Sequence, residues 1–250
     1  MLTAIVLNWK RPQNMPRILD SLRQSDLVTE IIVWNNNPET VFTAGNDIIV
    51  VNTSRDLGLN TRFAAALLAR NDAILFLDDD MVLAPDKIEQ LYLNWKETPD
   101  VCHAAYGRRC GAGPYNKVDA WGEVDVVLTK AVIVHRGICL RATVNTQILS
   151  DLPGRPDGNG EDILLSFTAM SMSGKPNQTH NLSVTEEPQD PKIAISKREP
   201  THFEHRTKVL ERCRKVLLAP SCGVSPQNFM PIPDTTIFQA VAPGRPDVVL

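Results

Sequence analysis

Apolar and polar positions alternate in blocks along the first hundred residues. Short, mainly apolar runs at Thr3–Leu7, Glu30–Trp34, Ile48–Val51 and Ala73–Leu77 have the length and β-branched content of strands. Between them the period lengthens. In Met15–Arg23, the residues Ile18, Leu19 and Leu22 recur at helical spacing behind Pro16, which suits a first helical turn. After Gly58, a second helix is predicted with Leu59, Phe63 and Leu67 on one face and Ala64 and Leu68 beside it. Pro85-Asp86 opens a third, with Ile88, Leu91 and Trp95 turned toward a sheet. Strands alternating with helices predict an α/β fold around a mostly parallel central sheet, and strands apolar throughout predict helices on both faces.

From about Cys102 the pattern changes to Gly, Pro and aromatic residues between short alternating segments. This predicts a smaller, mixed region of antiparallel strands and loops, suited to the more variable partner. Gly158-Asn159-Gly160 reads as a turn into a helix beginning Glu161-Asp162-Ile163, with both acids where the helix dipole favours negative charge. Ser173-Gly174-Lys175-Pro176 ends it, and a last helix spans roughly Phe203 to Leu218. Beyond it Pro220, Pro226, Pro231, Pro233, Pro243 and Pro246 rule out long regular elements. The expected organisation is one domain over 1–217, with a nucleotide-binding half at about 1–100 and an acceptor-side half at about 101–217, followed by a Pro-rich tail over 218–250.

Composition narrows the function classes. The 250 residues carry 26 Lys+Arg against 29 Asp+Glu, a net charge of −3, so there is no electrostatic footprint for duplex nucleic acid or an anionic membrane. No apolar run approaches the roughly 18 residues of a transmembrane span, and Met1 runs straight into strand-like sequence. That leaves a cytoplasmic chain or one whose anchor lies upstream. Five cysteines without a C-x-x-C exclude zinc ribbons and thioredoxin-type chemistry and allow at most two intrachain disulfides. Asn52, Asn177 and Asn181 each stand in a glycosylation acceptor pattern, which has meaning only in a secretory compartment.

The sharpest chemical feature is Ile74-Leu75-Phe76-Leu77-Asp78-Asp79-Asp80, an apolar strand ending in consecutive carboxylates. Adjacent negative charges repel, and at the carboxyl edge of a sheet, where α/β folds bind ligands, a hard divalent cation relieves them. Oxygen ligands favour Mn²⁺ or Mg²⁺, which take one or two protein carboxylates and fill the remaining positions with water and phosphate. The spacing does not fit a haloacid-type phosphatase, because the cluster follows the fourth strand rather than the first. Nor does it fit DDxxD on a helix, where Val82 occupies the last acid. There is no P-loop and no G-x-G-x-x-G after a strand. What remains is a nucleotide-diphosphate site in which the metal carries the diphosphate, and this points to sugar-nucleotide transfer.

Asn8-Trp9-Lys10-Arg11, Val33-Trp34-Asn35-Asn36, Asn60-Thr61-Arg62, Asp78-Asp79-Asp80, Gly122-Glu123-Val124-Asp125-Val126-Val127-Leu128, Glu161-Asp162, Gly174-Lys175-Pro176 and His205-Arg206 stand in this order along the chain. In that order the sequence resembles exostosin-like glycosyltransferases of family 64 over about residues 2–217. The resemblance implies a GT-A fold, Mn²⁺ dependence with Mg²⁺ as the alternative ion, and a UDP-sugar donor such as UDP-N-acetylhexosamine. It further implies retention of anomeric configuration, a glycan or glycolipid hydroxyl as acceptor, and a compartment of the ER or Golgi lumen. At Asn159-Gly160 the sequence departs from animal relatives, which carry a cysteine there, so a family disulfide is expected to be missing.

Roles follow for single residues. Asp80, farthest past the strand, is the expected metal ligand. Asp78 is expected to reach the ribose or a metal-bound water, with Asp79 on the opposite side toward the sugar. Arg11, Asn35 and Asn60 converge on the same edge for uracil and ribose, and Arg62 is placed to reach phosphate or sugar. Carried over from the family are Asp162, nearest the reacting carbon, Arg206 for the leaving diphosphate, and Asp125 on the acceptor side, with Trp121 and Tyr115 near enough to stack on a sugar. Glu161 reads as a helix-capping acid and His202 and His205 as a weak metal pair. Two other readings stay open: an inverting transferase with Asp162 or Glu161 as general base, and a sugar-nucleotide binding module without turnover.

Overall fold

The computed structural model describes residues 1–150, 152, 159–187 and 201–218, so the predicted Pro-rich tail past Leu218 lies outside the described residues. The first half is built from β1 (Leu2–Asn8), α1 (Met15–Arg23), β2 (Val28–Asn35), β3 (Ile48–Asn52), α2 (Thr61–Leu67), β4 (Ala73–Asp78), β5 (Met81–Val82) and α3 (Pro85–Glu97). The second half holds β6 (His103–Ala104), β7 (Gly107–Arg108), β8 (Gly122–Val124), β9 (Val126–Val127), β10 (Ala131–His135), α4 (Arg136–Asn145), α5 (Glu161–Ser173), β11 (Asn177–Thr179), β12 (Thr185–Glu186) and α6 (Thr201–Leu217). The main sheet has the order β3-β2-β1-β4-β10-β6-β11-β8. Its first four strands are parallel, β10 runs against both β4 and β6, β6 pairs with β11 in parallel and β8 runs against β11. This is the expected α/β fold of GT-A type, parallel in its nucleotide half and mixed beyond it.

Alternate residues of each strand enter two separate cores, as the period of an extended chain requires. Ile5, Ile32, Ile74, Phe76, Val132 and Val134 pack on the face covered by α2, α4, α5 and α6. Ala4, Val6, Val33, Leu75, Leu77 and Ile133 pack on the face covered by α1 and α3. The predicted core residues Ile18, Leu19 and Leu22 of α1 and Ile88, Leu91 and Trp95 of α3 are all buried. Leu67 and Leu68, expected beside the core, are instead 46% and 51% exposed: α2 ends at Leu67, and Phe63, Ala65 and Ala66 form its inner face.

Two further differences lie in the second half. The Gly122–Leu128 stretch does not run as one strand. It divides at Asp125, with β8 in the main sheet and β9 paired to β7. The Asp125 carboxylate accepts the backbone N–H groups of Cys110 and Gly111 (2.6 and 2.9 Å), which fixes the loop alongside. Strand β10 and helix α4 went unread in the sequence, because the continuous apolar run Ala131–Val134 leads into a helix without a turn signal. Cys102, Cys110, Cys139 and Cys213 are free and buried; Cys222 lies outside the described residues. Asn177 is fully buried, with its side chain bonded to Cys102 and Ser166, which closes that acceptor pattern to modification in the folded chain. Among the described residues no helix is long and apolar enough to cross a membrane.

A buried histidine gives this fold a pH signature. His103 in β6 lies 2% exposed, stacked on His180 with Nδ1 3.1 Å from its Nε2, while its own Nε2 meets Thr98. Burial, only partly opposed by the Thr98 carbonyl, pushes the ring from the ordinary 6.5 down to about 4. An unfolded chain would protonate this ring near 6.5 while the native one stays neutral, so the unfolded state takes up more protons across the window and stability falls as pH drops from 6.5 toward 4. The expected loss from this site is about 3 kcal/mol. In urea melts across that range, His103→Gln should flatten the slope; an unchanged slope would assign the acid lability to other groups.

Candidate functional site

The site lies at the carboxyl edge of the parallel strands, where register brings the strand ends into one row. Asn8 stands opposite Asn35, Asn35 opposite Asn52, and Leu7 opposite Asp78. The asparagines form a side-chain ladder: Asn8 Nδ2 donates to Asn35 Oδ1 and Asn35 Nδ2 to Asn52 Oδ1, each at 2.8 Å. Asn35 is fully buried, and its amide also reaches the Thr40 carbonyl at 2.7 Å. It therefore shapes the loop after β2 from within, rather than presenting a spare amide to the cleft. Asn36 does the same for the loop before α2, bonding Asp56 and the Gly58 carbonyl. Asn60 stands one residue before α2, and its buried Oδ1 has no hydrogen-bond partner.

The three acids separate in direction. Strand β4 ends at Asp78, and the chain turns over Asp79 and Asp80, so the alternation that would place Asp78 and Asp80 on one side stops too early. Asp78 shares the face of Ile74 and Phe76 and meets Arg62 of α2, which reaches its Oδ1 from both terminal nitrogens at 3.1 and 3.2 Å. Asp79 turns inward. It accepts from Arg11 at 2.6 Å and from the Trp9 N–H at 3.0 Å, and its carbonyl takes Asn14 Nδ2. Asp80 lies 3.2 Å from the same Arg11, and its carbonyl takes the Glu187 N–H at 2.7 Å, which fastens the edge to the β12–β5 ladder. Arg11 and Arg62, read as ligand-contacting side chains, both meet the triplet, Arg11 through Nη1 and Arg62 through both terminal nitrogens.

The second half supplies the matching wall. Gly160 caps helix α5; its φ of 114° suits glycine and its missing Cβ leaves room for Val209 of α6, 2.9 Å from where that atom would be. The close approach lets α6 hold the acids of the first turn. Arg206 donates to Asp162 Oδ2 at 2.5 Å, to the Tyr115 hydroxyl at 2.8 Å and to Asn159 Oδ1 at 3.2 Å. Tyr115 is buried against Arg206 and Phe203, so of the two aromatic candidates for sugar stacking only Trp121, 53% exposed, faces solvent. His202 and His205 both bond Asn159. The side chain that sequence reasoning undervalued is Glu161. It is 4% exposed, accepts from the Thr129 hydroxyl at 2.9 Å and lies 3.5 Å from Arg62. It accepts the Gly160 N–H at 3.3 Å as a capping acid does, and the long-range approach of Arg62 and Thr129 adds what the sequence does not show.

Electrostatics tie these pieces together. Among the described residues, three guanidiniums, Arg11, Arg62 and Arg206, face five carboxyl groups, Asp78, Asp79, Asp80, Glu161 and Asp162. Lys130 and Arg17 nearby are each matched by their own acid, Glu186 and Glu187. Burial is the leading influence on three of the acids, with neighbouring carboxylates adding to it. Burial, then Asp78, raises Asp80 to about 6; burial raises Asp79; and burial, then Asp162, raises Glu161 to about 7. A divalent cation would offset the repulsion among these carboxylates, and all-oxygen donors suit Mn²⁺ or Mg²⁺. Among the described residues no group of three or more His, Cys, Asp or Glu forms a ready cage.

Comparisons with known proteins bear on this geometry. Mouse exostosin-2 is 28% identical over 187 residues, covering 69% of this chain and 26% of the relative. Glucosamine inositolphosphorylceramide transferase 1 of Oryza sativa subsp. indica is 24% identical over 243 residues, covering 91% of this chain and 32% of the relative. This chain therefore spans between a quarter and a third of these curated relatives. A crystal structure of GalNAc-T7 with UDP, GalNAc and Mn²⁺ superposes with a TM-score of 0.55 at 11% identity, covering 84% of this chain and 48% of that one, a likeness of fold. The model of the glycosyl transferase family 64 domain matches residues 2–220, which takes in every element from β1 to α6, and the chain belongs to that family.

Proposed function

We propose that this chain is a metal-dependent, retaining glycosyltransferase that moves a sugar, N-acetylhexosamine in the first instance, from a UDP-sugar to a hydroxyl of a glycan or glycolipid. The observation that carries the reading is the presence of two half-sites: a triplet of acids at the sheet's carboxyl edge, and the buried Asp162–Arg206 pair at the start of α5. Family membership and the GT-A type fold support the reaction class. The names of the glycolipid relative and of the solved neighbour's ligands choose the probes to try first.

In this proposal Asp80, with Asp78 beside it, holds the cation, which when bound supplies positive charge to the donor's diphosphate. Asp79 and Arg11 anchor the turn on which those acids stand. Arg62 fixes the direction of Asp78 from behind, and the asparagine ladder sets the floor on which a nucleoside rests, with the free Oδ1 of Asn60 as the polar atom that remains to be matched. Asp162 faces the anomeric carbon, either as a nucleophile or as a charge that stabilises an oxocarbenium-like state. Arg206 orients it and adds positive charge near the departing phosphate.

The test is a panel of UDP-sugars incubated with Mn²⁺, because a transferase without acceptor slowly hydrolyses its donor. Release of UDP from UDP-N-acetylhexosamines above other donors, abolished by EDTA, is expected. The anomeric configuration of a transfer product then separates retention from inversion. UDP binding without any turnover on the panel or with acceptors would favour the binding-module reading.

A further inference from the structure

Arg62 is a guanidinium, 2% exposed at the side chain, with two carboxylates. Asp78 belongs to the sheet edge and is 29% exposed; Glu161 belongs to α5 and is buried. Thr129 binds both partners at once, its carbonyl accepting from Arg62 at 3.2 Å and its hydroxyl donating to Glu161 at 2.9 Å. Glu161 is joined through the backbone to Asp162, which Arg206 holds. The groups facing Glu161 are therefore Arg62 from α2, Thr129 from the segment before β10, Arg206 from α6 and Asp162 from its own helix. A buried cation shared between two acids responds when one of them is recruited elsewhere, because the other must then balance it alone.

Resting on the function proposed above, we infer that Glu161 is a positioning residue that senses the donor. When UDP and a cation engage Asp78, the charge of Arg62 is left to Glu161, which ionises and draws the first turn of α5, Asp162 included, toward the edge. No atom of Glu161 touches substrate in this scheme. Burial and Asp162 already place its carboxyl at about 7, so the response falls within the neutral range and appears as protons exchanged with solvent.

The experiment is calorimetry of UDP binding with Mn²⁺ at pH 7, repeated in buffers of different ionisation enthalpy to count protons. Wild-type protein should release protons on binding, and the difference between wild type and each variant reports Glu161. Glu161→Gln, which has no proton to give, should release fewer, by up to about half a proton. Thr129→Val removes a donor to the ionised carboxylate, leaves Glu161 more protonated before binding, and should release more than wild type. Opposite displacements of the two variants are not expected from loss of packing. Equal proton counts in all three proteins would overturn the inference while leaving the nucleotide site intact, whereas failure of wild type to bind UDP would remove the functional reading itself. Should Glu161→Gln not fold, the Thr129→Val comparison decides alone, and an unchanged count there counts against the inference.

Discussion

Asp162→Asn should lower sugar transfer by on the order of 10³-fold while leaving Mn²⁺-dependent UDP binding within a few-fold of wild type. The asparagine keeps the shape and the bond from the Ile163 N–H to Oδ1 but removes the negative charge that faces the reacting carbon. The same change leaves Arg206 buried without its principal partner, and breaking a buried pair from one side costs about 3 kcal/mol or more. Loss of rate alone therefore does not separate catalysis from scaffolding. Assays well below the melting temperature do: folded Asp162→Asn should still lack transfer there, while Asp162→Asn with Arg206→Met, which removes both charges, should recover most of the lost melting temperature. If activity returned with stability, Asp162 would be part of the frame and not of the reaction.

What could be read from the sequence divides along a physical line. The parallel half was legible because each strand and helix carries its own periodic signal. Met15–Arg23 matches α1 residue for residue, and the late helix with Glu161 and Asp162 in its first turn is α5. The site's location was legible for the same reason, since an apolar strand running into three acids states both the edge and its charge. Directions of side chains were not. Asp80 turns to Arg11 because the strand stops at Asp78, and Asn35 turns inward because Asn8 and Asn52 arrive beside it from neighbouring strands. The capping contact of Glu161 to the Gly160 N–H is local, but its other partners, Arg62 and Thr129, lie 99 and 32 residues away in sequence and left no local signal. Periodicity describes one segment at a time, and an ion-pair network is assembled from many.

The acidic triplet offers the second large effect, and it is a contrast between neighbours. Asp80→Ala should reduce UDP affinity in Mn²⁺ to the level seen in EDTA, a loss on the order of 100-fold, with the melting temperature nearly unchanged. The fold tolerates this change because Arg11 keeps Asp79 at 2.6 Å and the backbone carbonyl of residue 80 still accepts from Glu187. Asp79→Ala should do the reverse. Asp79 is the acceptor for Trp9 N–H and for Arg11, buried at 4% exposure, so its removal takes a charged acceptor from both and shifts the guanidinium toward Asp80. The expected cost is about 3 kcal/mol of stability. Protein that remains folded at low temperature should still bind UDP with Mn²⁺, more weakly because Arg11 now competes with the cation for Asp80. Paired melting curves and calorimetry on the two variants decide the matter. Were Asp79→Ala to abolish binding at full stability while Asp80→Ala unfolded the chain, the assignment of ligand and anchor within the triplet would be exchanged, and the cation would have to sit on the α1 side of the turn.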